Sequence, residues 1–301
     1  MGSLRNLVVH VNDEQTSRHA VELASLLATE LQAKLTLVLV ATPVHAGVGL
    51  TAETASLAQQ LDQAQRTSLL GIGERFAADV QQRLGLSVEL QLESGDPVTA
   101  LVAQTRTADL LITAQRNSAD EGGLATHQAA RLLIGAACPV LAVPFIGLHE
   151  GESSKTSEKP LRRALVAWSD TRESARAVRD ALPLLARAVH VELVSFSNGD
   201  QTHVALQQAS IKRVAAYLGQ HGIQAVTTVL TQGEPSLGER MRRGWVPDVA
   251  VAEALLSHAA DVNADFMVMG GYGHSRLWEL VLGGVTRTML ETMTVPVLMS
   301  H

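Results

Sequence analysis

Phe266-Met267-Val268-Met269-Gly270-Gly271-Tyr272-Gly273-His274-Ser275-Arg276, running on to Leu282-Gly283-Gly284-Val285-Thr286-Arg287, is the stretch in which the fold of this chain can be read most directly. The apolar run before the first glycines has the composition of a buried strand. Residues 285–293 after the last ones carry helical periodicity. A strand therefore passes through a glycine-rich loop into a helix. Glycines at 270 and 273 permit a tight turn or a close backbone approach, because neither carries a Cβ. The helix that follows begins with free backbone N–H groups and the positive end of its dipole, so the stretch has the makings of a phosphate site at a sheet edge. The plainer reading is that these glycines serve turns and close helix packing alone.

Outward from this stretch, strands and helices alternate along the whole chain. The first half opens with a strand at Leu7-Val8-Val9-His10-Val11 and a helix over residues 16–32, where Ala20, Leu23, Ala24, Leu27 and Leu31 recur at three- and four-residue steps. A strand at 35–40 follows, then a loop at 41–50 and a long alanine- and glutamine-rich helix at 54–84, expected to break near Gly71 and Gly73. Strands at 88–92, 110–112 and 140–143, with helices at 98–106 and 128–136, complete the half. The second half repeats this order. A shift of 157 residues carries Asn12 onto Ser169 and Pro139 onto Pro296, which marks an internal duplication. Its strands are expected at 164–168, 191–196 and 225–230, with a helix at 174–186. The repeat is interrupted at 236–249, a segment holding Arg240, Arg242, Arg243 and Trp245 that reads as an insertion. It would be a lid, a partner surface or simply an exposed charged run.

This grammar predicts two tandem doubly wound domains, each with a five-stranded parallel sheet covered by helices on both faces, because parallel strands need crossovers. The boundaries read as a degenerate first domain at 1–145, a solvated linker at 146–160, and a second domain with the glycine motif at 161–301. In such sheets ligands sit outside the carboxyl ends of the strands, where the strand order reverses. The loops that matter in the second half are then Ser169-Asp170-Thr171, Ser197-Asn198-Gly199 and the one that begins at Gly270.

Composition narrows the function classes. With 46% hydrophobic and 18% charged residues and a formal charge of -6, the chain has a well-filled core and no continuous basic surface, which argues against a nucleic-acid partner. A single cysteine, Cys138, leaves no internal disulfide. No apolar run reaches the roughly 18 to 20 residues of a membrane span, and the opening residues lack a secretion-signal profile, so the expectation is a cytoplasmic protein that does not engage a membrane. Eleven histidines show no metal-ligand spacing, and no metal site is expected. A nucleophile elbow, a Walker A sequence and a paired-carboxylate arrangement do not occur, so no catalytic residue is named.

The spacing Gly270, Gly273, Gly283 on a repeated five-stranded α/β unit resembles the universal stress proteins, as does Val268-Met269-Gly270-Gly271-Tyr272-Gly273-His274-Ser275 with the ending Thr294-Val295-Pro296-Val297-Leu298. The resemblance covers almost the whole chain as a tandem pair and is stronger in the second half. It implies a cytoplasmic stress-response protein whose last strands pair, in a homodimer or in a dimer-like arrangement within one chain. It also implies an ATP-type adenine nucleotide, with Mg²⁺ as a possible companion, in the second domain. Gly270, Gly273 and Gly283 would carry phosphate and ribose contacts, and Phe196 matches a position whose backbone meets adenine. Ala167, Ser169, Asp170, Met269, His274, Arg276, Gly284, Val285 and Thr286 complete the candidate set.

Two positions depart from the pattern of nucleotide-binding members. Ser169 stands where Asp is usual, and Gly284 stands where Ser or Thr is usual; Asp170 and Thr286 are the near neighbours that would compensate. Ser169 and Asp170 also suit a helix N-cap. His274 and Arg276 suit either phosphate contact or a solvated loop. In the first half Ala114 stands at the place of Gly270, Arg116 or Asn117 at that of Gly273, and Thr126 at that of Gly283, so this half is expected to be a structural partner without ligand. The functional expectation is a nucleotide-dependent regulatory switch read by a protein partner whose identity the sequence does not reveal. The alternatives are a nucleotide-free scaffold of the same fold and a slow ATPase.

Overall fold

The computed structural model describes residues 4–43, 52–116, 123–146, 160–197, 200–231, 247–272 and 284–301. Its contacts divide the chain into two compact units, Leu4–Cys138 and Pro139–His301.

The first unit runs β1 (Asn6–Val11), α1 (Glu14–Leu31), β2 (Lys34–Ala41), α2 (Ala52–Leu84), β3 (Val88–Ser94), α3 (Pro97–Thr105), β4 (Leu110–Ala114) and α4 (Thr126–Gly135). Its strands are parallel in the order β3-β2-β1-β4. The Asp13 carboxylate accepts the Thr16 N–H at 2.7 Å and starts α1. Gln32, left-handed at φ 51, ends it. Ala20, Leu23, Ala24, Leu27 and Leu31, the stripe read from the sequence, are all buried.

Helix α2 corrects one expectation, because it continues without a break through Gly71 and Gly73 for 33 residues. Two glycines cost only about 1 kcal/mol each in a helix interior, and their neighbours are strong helix formers. Gly73 also has a packing use. A Cβ there would lie 3.2 and 3.3 Å from the two Leu39 methyls and 3.3 Å from a Leu90 methyl, so the bare residue lets α2 settle onto β2 and β3.

The second unit runs β5 (Val140–Val143), β6 (Arg163–Ala167), α5 (Arg172–Leu185), β7 (His190–Ser197), α6 (Gln201–Gln220), β8 (Val226–Thr231), α7 (Pro247–Asp261), β9 (Phe266–Gly270), α8 (Gly284–Thr292) and β10 (Val297–Ser300). Its strand order is β5-β10-β9-β6-β7-β8. All neighbours are parallel except β5 and β10, the fifth strands of the two repeats, which pair antiparallel with Leu141 opposite Leu298. Strands β6 and β9, first and fourth of their repeat, lie side by side, so the strand order reverses between them.

Most of the segment read as an insertion, 236–246, lies outside the described residues, while Val249 belongs to α7. The far end of that helix is tied to the sheet. The Arg163 guanidinium donates to the Val262 carbonyl at 2.9 Å, and His258 Nε2 lies 2.9 Å from the buried Glu192 carboxylate, which also accepts the Thr228 hydroxyl at 2.6 Å. Among the described residues no helix is long and apolar enough to cross a membrane, and no three His, Cys, Asp or Glu side chains group as a metal site.

Candidate functional site

The site is built where β6 and β9 end. Ala167 and Met269 are register partners there, the first half-buried and the second buried. Beyond Ala167 the chain is anchored by Trp168, whose N–H donates to the Val194 carbonyl at 2.7 Å and whose indole Nε1–H donates to Ser210 Oγ at 2.9 Å. Ser169 and Asp170 then stand exposed at the mouth. Ser169 Oγ is 3.3 Å from Thr171 Oγ1, and the Asp170 carboxylate is 3.6 Å from the Arg213 guanidinium of α6. Asp170 is left-handed at φ 55, a conformation that short polar side chains tolerate better than most.

The cap of α5 is neither Ser169 nor Asp170, which corrects the capping expectation. Thr171 Oγ1 accepts the Ser174 N–H at 3.2 Å, and Ser174 Oγ accepts the Thr171 N–H at 3.1 Å. The left-handed residue turns the chain one step later than the sequence suggests, so the cap moves to Thr171. Next to it, burial would raise the Glu173 carboxyl pKa. A backbone hydrogen bond, the Arg172 guanidinium and His301 outweigh that and leave it below the ordinary value.

Gly270 sits directly against this capped turn. A Cβ on it would lie 2.5 Å from the Ser174 nitrogen, 2.6 Å from the Glu173 carbonyl carbon and 2.9 Å from Glu173 Cβ. No side chain fits, so close packing of β9 on the amino end of α5 accounts for this glycine. Gly271 N–H donates to the Ser300 carbonyl at 2.9 Å, and His301 Nδ1 lies 3.0 Å from the Gly271 carbonyl oxygen. Tyr272 is left-handed at φ 61, and its N–H donates to Thr286 Oγ1 at 3.3 Å. The Tyr272 phenol is buried without a hydrogen-bond partner among the described residues, and burial pushes its pKa up.

Helix α8 begins at Gly284, with Val285 half-buried and Thr286 buried, and no acidic residue occupies its first turn. Phe196 is half-buried on β7 and in register with Leu230, two residues beyond Val194, the β7 partner of Ala167. Gly273, His274, Arg276 and Gly283 lie outside the described residues. The structure therefore brings together Ala167, Met269, Gly270 and the 169–170 loop, and separately ties Thr286 to the 270–272 turn. The sequence reading missed Tyr272, Trp168 and Arg213. Neither the positive φ of a tyrosine nor a contact between Asp170 and a residue 43 positions away on another helix leaves a local signal.

The corresponding corner of the first unit is chemically different. Ala114 ends β4, and the amino end of α4 is closed on itself by the Gln128 side chain, which accepts the Ala125 N–H at 2.9 Å. At the end of β1 stands His10, buried and lowered to about 4 mainly by desolvation, with the nearby Asp13 charge opposing.

In each unit, strands that are mostly parallel and whose order reverses between the first and fourth of the repeat define a Rossmann-like α/β fold of the adenine nucleotide alpha hydrolase type. The chain belongs to the universal stress protein family: the family's model matches residues 3–144 and again residues 160–301, so two such domains follow one another. Among solved structures, a universal stress protein from Archaeoglobus fulgidus DSM 4304 superposes with a TM-score of 0.64 at 14% identity, covering 97% of each chain. A putative universal stress protein from Pseudomonas aeruginosa UCBPP-PA14 superposes with a TM-score of 0.55 at 18% identity, covering 99% of this chain and 93% of the other. At these identities the likeness speaks for the fold. No curated protein matches the chain.

Proposed function

We propose that the second domain binds an adenine nucleotide of the ATP class at the carboxyl ends of β6 and β9, and that the bound nucleotide acts as a regulatory switch in a cytoplasmic stress response. The observation that carries this reading is the contrast between two helix amino ends at the strand-order reversal. That of α5 holds Glu173 and is closed by its own Thr171 and Ser174. That of α8 follows the glycine motif and has no carboxylate in its first turn. The triphosphate, with Mg²⁺ if a metal accompanies it, belongs with the Gly270, Gly273 and Gly283 backbone, with Gly284, Val285 and Thr286 at the head of α8, and with the cations His274 and Arg276. The ribose belongs with Ser169 and Asp170. Adenine belongs against the backbone of Ala167, Met269 and Phe196.

The chain's own residues supply binding and coupling. A nucleotide that fits one arrangement of the 270–286 segment better than another shifts the population of that arrangement, and a partner protein reads the difference. A second reading, a nucleotide-free scaffold, is favoured by one observation: Thr286, the near neighbour that would replace the side chain Gly284 lacks, is buried and has a structural use of its own, its hydroxyl accepting the Tyr272 N–H.

The test is adenine nucleotide in acid extracts of the purified protein, followed by calorimetry with ATP and Mg²⁺ on the native chain and on Gly273→Val and Gly283→Val. Binding to the native chain that is lost in both folded variants supports the switch. No heat of binding at millimolar ATP supports the scaffold instead.

A further inference from the structure

On the nucleotide reading of the second domain, on which this inference rests, we propose that Arg213 decides which ribose is accepted: it holds the Asp170 carboxylate in place to take both hydroxyls of a ribose diol. The site then selects adenine ribonucleotides over nucleotides that lack either hydroxyl. The two repeats differ here by one residue. Their first strands run in step, since Asp109 accepts the Arg5 and Asn6 N–H groups and Asp265 accepts those of Arg162 and Arg163. Residues 6–11 therefore match residues 163–168. In the first domain one residue, Asn12, separates Val11 from the helix cap Asp13. In the second, two residues, Ser169 and Asp170, separate Trp168 from the cap Thr171. The second domain carries a spare residue at the mouth of its crevice.

The first domain shows what the spare residue frees. Asp13 is extended at φ -147, and its two carboxylate oxygens are used locally, one by the Thr16 N–H at 2.7 Å and the other by the Asn12 amide at 2.8 Å. Asp170 is left-handed at φ 55, and with Thr171 and Ser174 closing α5 its carboxylate has no capping duty. A non-glycine residue in that region costs free energy, and such strain collects at binding and catalytic sites. Arg213 is the only ionic partner of Asp170 among the described residues, its Nη2 3.6 Å from Oδ2, which leaves Oδ1 for a ligand. With side-chain exposures of 68% for Arg213 and 52% for Asp170, the pair adds little stability. Its place is nonetheless fixed. Ser210, one turn before Arg213 on α6, accepts the Trp168 indole N–H at 2.9 Å and ties that helix to the root of the 169–170 loop. A carboxylate at that point accepts both hydroxyls of a ribose, as acidic residues do in dinucleotide-binding folds. A guanidinium alone would favour a ribose phosphate, which the Asp170 charge repels.

The test is calorimetry on the full chain with ATP, 2′-deoxy-ATP and 3′-deoxy-ATP, Mg²⁺ present, and with AMP against adenosine 2′,5′-bisphosphate. The native protein is expected to bind each deoxynucleotide about tenfold more weakly than ATP, the size of one lost hydrogen bond to a charged group. Arg213→Ala and Asp170→Asn, both at exposed positions, are expected to keep the native circular dichroism and to bring that ratio close to one. Native ratios close to one, ratios that survive Arg213→Ala, or tighter binding of the bisphosphate than of AMP overturn the inference while leaving nucleotide binding itself intact. A native chain that binds none of these ligands overturns the nucleotide reading and this inference with it.

Discussion

Gly270 and Ser174 touch backbone to backbone. A Cβ on the first would stand 2.5 Å from the nitrogen of the second, closer than carbon and nitrogen can approach without bonding. That nitrogen is also the donor of the α5 cap, so the glycine cannot gain a side chain without disturbing the first turn of the helix. Gly270→Ala is expected to lower stability by about 1–3 kcal/mol, the range for overpacking a filled core. A shift of the urea midpoint to lower concentration at unchanged slope would show it, and an unchanged midpoint would mean that the turn yields freely. Ala114 already occupies the matching place in the first unit, where the same experiment in reverse, Ala114→Gly, is expected to bring no gain.

The Thr286 hydroxyl is the acceptor for the Tyr272 N–H, 3.3 Å away, and both residues are buried. Thr286→Val keeps the shape but leaves that N–H unpaired, at a cost of about 1–3 kcal/mol. Thr286→Ser keeps the acceptor and gives up only one buried methyl, so it is expected to cost about 0.8 kcal/mol. Thermal unfolding of the three proteins separates these outcomes. Equal melting temperatures for the valine and serine variants would show that the hydroxyl does not hold the turn.

How much of this was open to sequence reading depends on the range of the interaction concerned. Strands such as Phe266–Gly270 and the α1 stripe through Leu23 and Leu27 announce themselves because burial acts at a fixed local period. The strand-order reversal between β6 and β9 followed from the alternation of elements, since parallel strands with crossovers leave few arrangements. What escaped is set by single torsions and by distant pairs. The positive φ of Asp170 displaces a cap by a residue, and nothing in the composition of Ser169-Asp170-Thr171 distinguishes the three as capping groups. Gly73 reads as a helix breaker until Leu39 and Leu90 are seen against it. The phosphate reading of Gly270 has a local competitor that sequence could not rank, because the atoms it would collide with belong to residues 173 and 174, almost a hundred positions earlier.

His10 supplies a pH prediction for the first unit. Burial holds its imidazole neutral, lowering its pKa from 6.5 to about 4, while the unfolded chain regains the ordinary value. The unfolded state therefore binds the extra proton between these pH values, and acid favours unfolding. The associated stability is fully present above about pH 6.5 and is lost as pH falls to about 4, by about 3 kcal/mol over that span. His10→Leu is expected to flatten this limb of the stability profile. A native profile flat between pH 6.5 and 4, or one whose slope survives the substitution, would contradict the neutral buried imidazole.

Glu192 gives a second acid limb, in another window and another unit. Burial raises its carboxyl pKa, but the Thr228 hydroxyl at 2.6 Å, His258 Nε2 at 2.9 Å and His190 outweigh that and leave it below the ordinary 4.5. A carboxyl whose folded pKa is depressed contributes stability above its unfolded pKa and loses it as pH falls through the folded one, so this limb lies below pH 4.5, beneath that of His10. Two substitutions then separate charge from hydrogen bonding. Glu192→Gln removes the limb below pH 4.5 while leaving the slope above it as in the native chain. His258→Leu takes away a donor to a buried carboxylate and is expected to cost about 1.5–3 kcal/mol at neutral pH. Because His258 lies in the last turn of α7, the loss should appear first as faster amide exchange in that helix, before β7 or β8 changes. Exchange that rises equally across all three would mean that Glu192 holds the unit as a whole and that α7 has no opening of its own.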